Sequence, residues 1–247
     1  MKTSLFRLSA KALLILAAAT WATPKLVAQD DAGVRFGIKL APNMSWIKAD
    51  TKGLENNGST LGFTFGLITE FPIGASGNYR FGTGLFLNNT GGKYLRTVEY
   101  LESINGPILK KDLATDFKTG FIELPLTFKL MTNEIGYMRY YGQLGFGASY
   151  NIRAKADFDS PVFDTSGLYV VRFDKLEDED FQNSIQPFRA SLIVGAGLEY
   201  NFSGSTTLQA GVTYNNGFTN ALKNVPVGDK KAKGLQNYLE LNLAVFF

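Results

Sequence analysis

Along most of this chain apolar and polar residues take turns. In Leu235–Phe247 the positions Leu239, Leu241, Leu243, Val245 and Phe247 are apolar, while Gln236, Glu240 and Asn242 are polar. That is period 2, the mark of a strand with one greasy and one wet face. The same alternation runs from Val34 toward Trp46, from Leu61 to Phe71, from Tyr79 to Asn88 and from Ile122 to Leu130. It returns from Met138 to Arg153, from Phe188 to Tyr200 and from Thr207 to Tyr214. Eight strands are expected, each long enough for the roughly nine to eleven residues of a tilted strand crossing a bilayer.

The connections between them alternate in length. Pro72–Asn78, Thr132–Gly136 and Ser203-Gly204-Ser205 are short. The connection holding Asn56-Asn57-Gly58, the less regular Asn89–Thr115, the polar Asp157–Asn183 and the Gly/Lys/Asn stretch Gly217–Gly234 are long. Short turns on one side, longer loops on the other and an even strand count describe an up-and-down barrel of the outer membrane. A soluble sandwich has no reason to keep that asymmetry.

The N-terminus adds export. Lys2, Arg7 and Lys11 precede an apolar run, Ala12 to Ala22, and Leu26-Val27-Ala28 comes after it. Basic, apolar, then small is the order of a secretory signal. The run is too short to span a bilayer, which takes about 20 residues. The expected organisation is a signal peptide over 1–28 and an all-β, eight-stranded antiparallel barrel domain over 29–247.

Charge and composition then narrow the chemistry. The formal charge of +3 is carried by the signal, because Lys2, Arg7, Lys11 and Lys25 face no acid there; the rest holds 21 basic and 22 acidic residues. No basic excess remains for a nucleic-acid partner. The chain has neither Cys nor His. Thiol chemistry is thereby excluded, along with the commonest general base and the commonest transition-metal ligand. No enzyme, cofactor or metal is expected.

The polar face of the strands carries Arg35, Lys39, Glu70, Arg80, Glu123, Lys129, Arg153, Arg189, Glu199 and Glu240. Alternation alone fits two barrels, one with this face outward in water and one with it inward behind a lipid-facing apolar wall. The signal, the loop asymmetry and the terminal aromatic Phe247 favour the second. An eight-stranded barrel is just wide enough for its own side chains. These ten residues are therefore expected to pair with one another and fill the lumen, leaving no wide pore. Gly-x-Gly at 82/84, 145/147 and 195/197 falls inside strands, so it reads as room for long neighbours and not as a nucleotide loop. Pro125 cannot donate to a ladder, so its strand should be irregular there. The acidic Asp164, Asp174 and Glu177–Asp180 match no calcium-loop spacing. They read as a solvated run facing the basic Lys230, Lys231 and Lys233 of the next long loop.

Four stretches resemble the PorT-like group of outer-membrane β-barrels. These are Gly37-Ile38-Lys39-Leu40-Ala41-Pro42-Asn43, Ile122-Glu123-Leu124-Pro125-Leu126 with Lys129, the Tyr141–Gly147 segment and the aromatic end. The resemblance spans essentially the mature chain. It implies a barrel, and it admits a role as an accessory of protein secretion or envelope assembly. The reading is thus an integral outer-membrane barrel with a structural or surface-interaction role. Its expected partners are outer-membrane lipids and lipopolysaccharide, the insertion machinery that would read Phe247 as a terminal signal, and other envelope proteins. A narrow transporter is the less favoured alternative.

Overall fold

The computed structural model describes residues 33–203 and 206–247. The proposed signal, 1–28, and Gly204 and Ser205 of the third short turn lie outside the described residues. The elements are β1 (Arg35–Ala49), β2 (Leu54–Asn56), β3 (Ser59–Pro72), β4 (Tyr79–Tyr100), β5 (Leu109–Met131) and β6 (Met138–Phe163). They continue with β7 (Val170–Asp180), a 3-10 turn (Gln182–Ser184), β8 (Phe188–Ser203), β9 (Thr206–Asn220), β10 (Pro226–Val227), β11 (Lys230–Lys231) and β12 (Gly234–Phe246). No helix among the described residues is long and apolar enough to cross a membrane.

Eight of these strands form a closed antiparallel ring in the order β1-β3-β4-β5-β6-β8-β9-β12. The last strand closes on the first, with Lys39 opposite Ala244 and Asn43 opposite Glu240. Closure leaves no unpaired edge, which hydrocarbon would penalise by several kcal/mol per group. β2 pairs with β4, β7 extends the sheet from β6, and β10–β11 form a small separate hairpin.

The faces decide between the two barrels that alternation allows. Leu61, Leu67, Leu85, Leu144, Phe188, Leu241 and Leu243 point outward and are exposed, Leu61 by 83%. Glu70, Arg80, Glu123, Lys129, Glu199 and Glu240 point inward and are buried. An apolar belt of this size on the outer wall needs lipid around it.

β4, β5 and β6, with 22, 23 and 26 residues, run well past what the bilayer needs. Asn89–Thr115, expected as an irregular loop, is the continuing β4–β5 hairpin, paired up to Tyr100 opposite Leu109. Asp157–Asn183 likewise holds the end of β6 and the whole of β7. The reason is visible along β5. From Ile122 to Leu130 the outward positions are apolar and the inward ones include Glu123 and Lys129. Above that point the outward positions are Lys110, Asp112, Asp116 and Lys118, and the inward ones are Leu113, Phe117 and Phe121. The strand is continuous, but its polarity inverts where lipid gives way to water.

Two irregularities matter. The β4–β5 ladder is interrupted beside Pro125, between Thr83↔Leu126 and Phe86↔Glu123, without change of register. The register shift falls elsewhere, at Gly120/Phe121, where Gly120 faces Arg153 and Phe121 faces Asn151. This bulge corrects one expectation: Asn151 stays buried inside, Ile152 and Arg153 are both exposed, and Ala154 is again buried. A β-bulge adds one residue and re-aims the side chains beyond it. Arg153 therefore lies on the outer wall and not in the lumen.

Candidate functional site

The ring brings the remaining nine of the ten polar-face residues into one lumen. At the short-turn end, β1, β3, β5 and β8 each aim a charge at the axis. Arg35 donates from Nη2 to Glu70 Oε2 at 2.5 Å and from Nη1 to Glu199 Oε2 at 2.8 Å. Lys129, almost fully buried, donates from Nζ to Glu70 at 2.6 Å, Glu199 at 2.5 Å and Gln209 Oε1 at 2.6 Å. Two cations and two carboxylates thus share one cluster. The Arg35 guanidinium lies 4.5 Å from the centre of the Phe246 ring, and Lys129 Nζ lies 4.4 Å from that of Tyr141. Arg80 sits beside this cluster and donates to the Gly33 carbonyl at 3.1 Å. Buried charges persist only when paired and hydrogen-bonded, and this cluster meets that condition.

One step up, Lys39 pairs with Glu240 across the β1–β12 closure, and its ammonium lies 4.7 Å from the Phe86 ring centre. A cavity of about 30 Å³ sits here, lined by Lys39, Glu123, Tyr238, Glu240 and Asn242. That is room for about one or two waters.

The next layer centres on Glu123, which accepts from Tyr238 OH at 3.0 Å, Ser149 OH at 3.1 Å and Asn88 Nδ2 at 3.1 Å. Arg189 Nη1 stands 3.8 Å from the same carboxylate, while its Nη2 donates to Asn215 Oδ1 at 2.5 Å. Asn215 in turn donates to Tyr238 OH at 2.7 Å. The glycines make room for this layer. A Cβ at Gly147 would lie 2.7 Å from Ser191 Oγ and 3.4 Å from Glu123 Oε1.

At the long-loop end the chemistry changes. Ile47, Leu54, Tyr94, Phe117, Phe121, Phe181, Ile185, Leu222, Val225 and Val227 form an apolar core. Phe117 stacks on Phe181 at 6.2 Å and meets Tyr94 at 6.1 Å. Two loops fold in to build it, tied by backbone bonds from Gln186 N to Ala221 O at 2.9 Å and from Lys223 N to Ser184 O at 2.8 Å. Asn220 pins the second loop, donating to Leu222 O at 2.6 Å and accepting from Gly234 N at 2.8 Å.

Phe247 points outward, 51% exposed, with its N–H on Phe36 O at 2.8 Å. The acidic run does not reach the basic loop among the described residues. Lys175 pairs with Glu177, Arg172 with Asp174 and Lys155 with Asp178, while Lys231 bonds Asn224. No cluster of three or more His, Cys, Asp or Glu that could hold a metal occurs among the described residues.

Sequence reasoning overlooked Tyr141, Asn215 and Tyr238 in the lumen, although strand parity places each of them inward, as it does Gln209. It also overlooked the apolar cap. Its residues Leu222, Val225 and Val227 are scattered in a stretch whose Gly, Lys and Asn content reads as a solvated loop.

A family model described as an outer membrane protein beta-barrel domain matches residues 27–223. No curated protein matches the chain. Among solved structures, Neisserial surface protein A is similar at 18% identity, covering 87% of this chain and 97% of that one, with a TM-score of 0.42. Ail of Yersinia pestis is similar at 17% identity, covering 87% and 97%, with a TM-score of 0.36. OprG of Pseudomonas aeruginosa is similar at 16% identity, covering 89% and 98%, with a TM-score of 0.40. At these identities and scores they carry no argument about the task of this chain.

Proposed function

The chain belongs to the outer membrane protein beta-barrel domain family and resides in the outer membrane, and from that premise we propose that it is a plugged barrel with a structural or surface-interaction role, neither a pore nor an enzyme. The observation that carries this is the closure of the lumen at both ends. The Arg35–Glu70–Lys129–Glu199 cluster fills one end and the Phe117–Leu222 core fills the other. The cavity lined by Lys39, Glu123 and Glu240 between them, about 30 Å³, is too small for a metabolite. With a sealed wall, what the molecule offers to the outside is its loops and its outer face. Residues 1–28 act as a cleaved export signal, and the nine inward polar residues act as the filling that fixes strand register. Lipopolysaccharide, other lipids and envelope proteins are the partners this reading implies. The test is a deletion strain assayed for surface attachment and envelope integrity; unchanged envelopes and unchanged attachment would remove the surface role.

A second reading, an accessory of protein secretion, is favoured by the PorT-like stretches at Gly37–Asn43, Ile122–Leu126 and Tyr141–Gly147. A comparison of secreted proteins in the same deletion strain separates the two. An altered secretome supports the accessory role, and an unaltered one discards it. Phe247 acts as a terminal signal for the insertion machinery. Its deletion is expected to lower the amount of assembled barrel far more than deletion of Glu179, and equal tolerance of both would refute that role.

A further inference from the structure

On the outer wall, at the height where the polarity of the strands inverts, three cations surround a groove of about 200 Å³. Lys118 comes from β5, and Arg153 and Lys155 come from β6; Leu61, Asn89, Gly120 and the acid Asp178 are also in its walls. Below it Phe65, Leu87, Ile122 and Tyr150, exposed apolar residues, are register partners on four adjacent strands, and Leu61, Phe63 and Ile152 continue the exposed apolar face up to the groove.

Two features of this groove break local rules in the same direction, and a third concerns the acid beside them. First, Lys118 and Lys155 are direct register partners on the outward face. Like charges placed opposite one another destabilise a sheet. Second, the β-bulge at Gly120/Phe121 turns Arg153 out beside them, when unbroken pleating would have kept it in the lumen. Third, Asp178 is the acid that answers these charges, through its ion pair with Lys155. Among the described residues, neither Lys118 nor Arg153 has an ion pair or a side-chain hydrogen bond. The Asp178 carboxyl is held below its ordinary value by its bond from Lys155 first, and then by the charges of Lys155, Arg153 and Lys118, with desolvation opposing. Of the charged side chains that line the groove, three are cations and one, Asp178, is an acid; Asp180 stands opposite Lys155 on β7.

Departures from sheet rules that converge on one place mark sites more often than accidents. Here they lie where headgroups meet acyl chains, and clusters of Lys and Arg at that depth recognise phosphorylated headgroups. We propose that Lys118, Arg153 and Lys155 form a binding site for the phosphate of an outer-leaflet lipid, whose acyl chains lie on Leu61 and Ile122. This rests on and deepens the surface role proposed above, in which lipopolysaccharide is an implied partner, by placing the phosphate; it stands whether or not the loops have a protein partner.

Gly120 keeps the groove open. A Cβ there would lie at 3.7 Å from both Arg153 Cβ and Asn89 Oδ1, an ordinary contact the fold accepts but one that narrows the cleft.

The test uses the full chain refolded in detergent and titrated with diphosphoryl lipid A, the bound lipid being counted by native mass spectrometry. The expected result is a tight site in the wild type, weakened at least about tenfold in the Lys118→Gln, Arg153→Gln double variant. Lipid A stripped of its phosphates should bind the wild type as weakly as the intact lipid binds that variant. Asp178→Asn, which removes the competing carboxylate, should tighten binding several-fold. Equal affinity of the double variant, or equal binding of stripped lipid, overturns the proposal. Displacement by millimolar inorganic phosphate alone also overturns it, since the site would then take a free anion. If the double variant shows no heat-modifiable gel mobility and so has not folded, Asp178→Asn decides, and no gain in affinity counts against the site.

Discussion

At its short-turn end the lumen of this barrel is held by ion pairs; at its long-loop mouth the same walls are held by aromatic and aliphatic side chains. Lys129 and Glu199 meet at 2.5 Å in the first region, and Phe117 packs on Phe181 and Tyr94 in the second. The difference stems from the medium outside each stretch of wall. Within the bilayer, lipid takes the apolar face, and the backbone ladder cannot open without stranding polar groups in hydrocarbon. The wall is secure, so the interior is free to be polar, provided each charge is answered. Above the bilayer, water bathes the outer face and lipid gives no help. There β4, β5 and β6 need an ordinary hydrophobic core, and the loops around Ile185 and Leu222 provide its other half. One strand, β5, does both jobs by inverting its polarity between Lys118 and Ile122 without changing its register to β4.

The contrast can be broken at either end. Lys129→Met should have the largest effect. It leaves Arg35 to answer both Glu70 and Glu199, and removing one member of a buried pair costs about 3–5 kcal/mol. Denaturant unfolding in detergent should show the whole barrel weakened, and an unshifted midpoint would mean that the cluster is not structural. Phe117→Ala should act locally, loosening the mouth by about 3 kcal/mol while the membrane-embedded ring persists. Limited proteolysis at Lys230 and Lys231 should speed up with heat-modifiable mobility retained. Loss of both together would erase the distinction between the two regions. Tyr238→Phe removes a donor to Glu123 and the acceptor of Asn215, for about 1–2 kcal/mol. Its loss should appear in global unfolding and leave loop proteolysis unchanged.

The smallest effect is at the tip of the β6–β7 hairpin, at the long-loop end. Asp164 accepts from the N–H groups of Ser166 and Leu168, both at 2.9 Å. Its bond from the Ser166 side chain, with these backbone bonds, holds its carboxyl down at about 2 against opposing desolvation. A depressed acid stabilises above its unfolded value and loses that contribution as pH falls toward the folded one. Protection of the Ser166 and Leu168 amides, relative to their intrinsic exchange rate at each pH, should therefore fall as pH drops from about 4 toward 2. Asp164→Asn should abolish that acid-specific step.

Period-2 alternation makes the ring and its inward charges legible, because each residue of Leu239–Phe247 or Ile122–Leu130 has a clear side. It fails at three places for physical reasons. The upper halves of β4 and β5 look irregular against an apolar-out template, because above the membrane the pattern reverses at Lys118. Arg153 reads as inward because a bulge cannot be seen in a single strand's pattern; it arises from pairing with β5 at Gly120. The cap is invisible because Leu222, Val225 and Val227 are buried in one cluster with Ile47 and Phe117, far away in sequence. Partner choice inside the lumen is equally out of reach, since a shared polar face does not say that Glu240 will meet Lys39 and not Arg35.

The claim that joins both regions is that together they seal the barrel. Planar-bilayer recording of the refolded full chain tests it most directly. A sealed lumen predicts no conductance steps above the bare membrane, in the wild type and in Phe117→Ala alike, because the Arg35–Lys129 cluster remains in place. Reproducible ohmic steps in the wild type would contradict it.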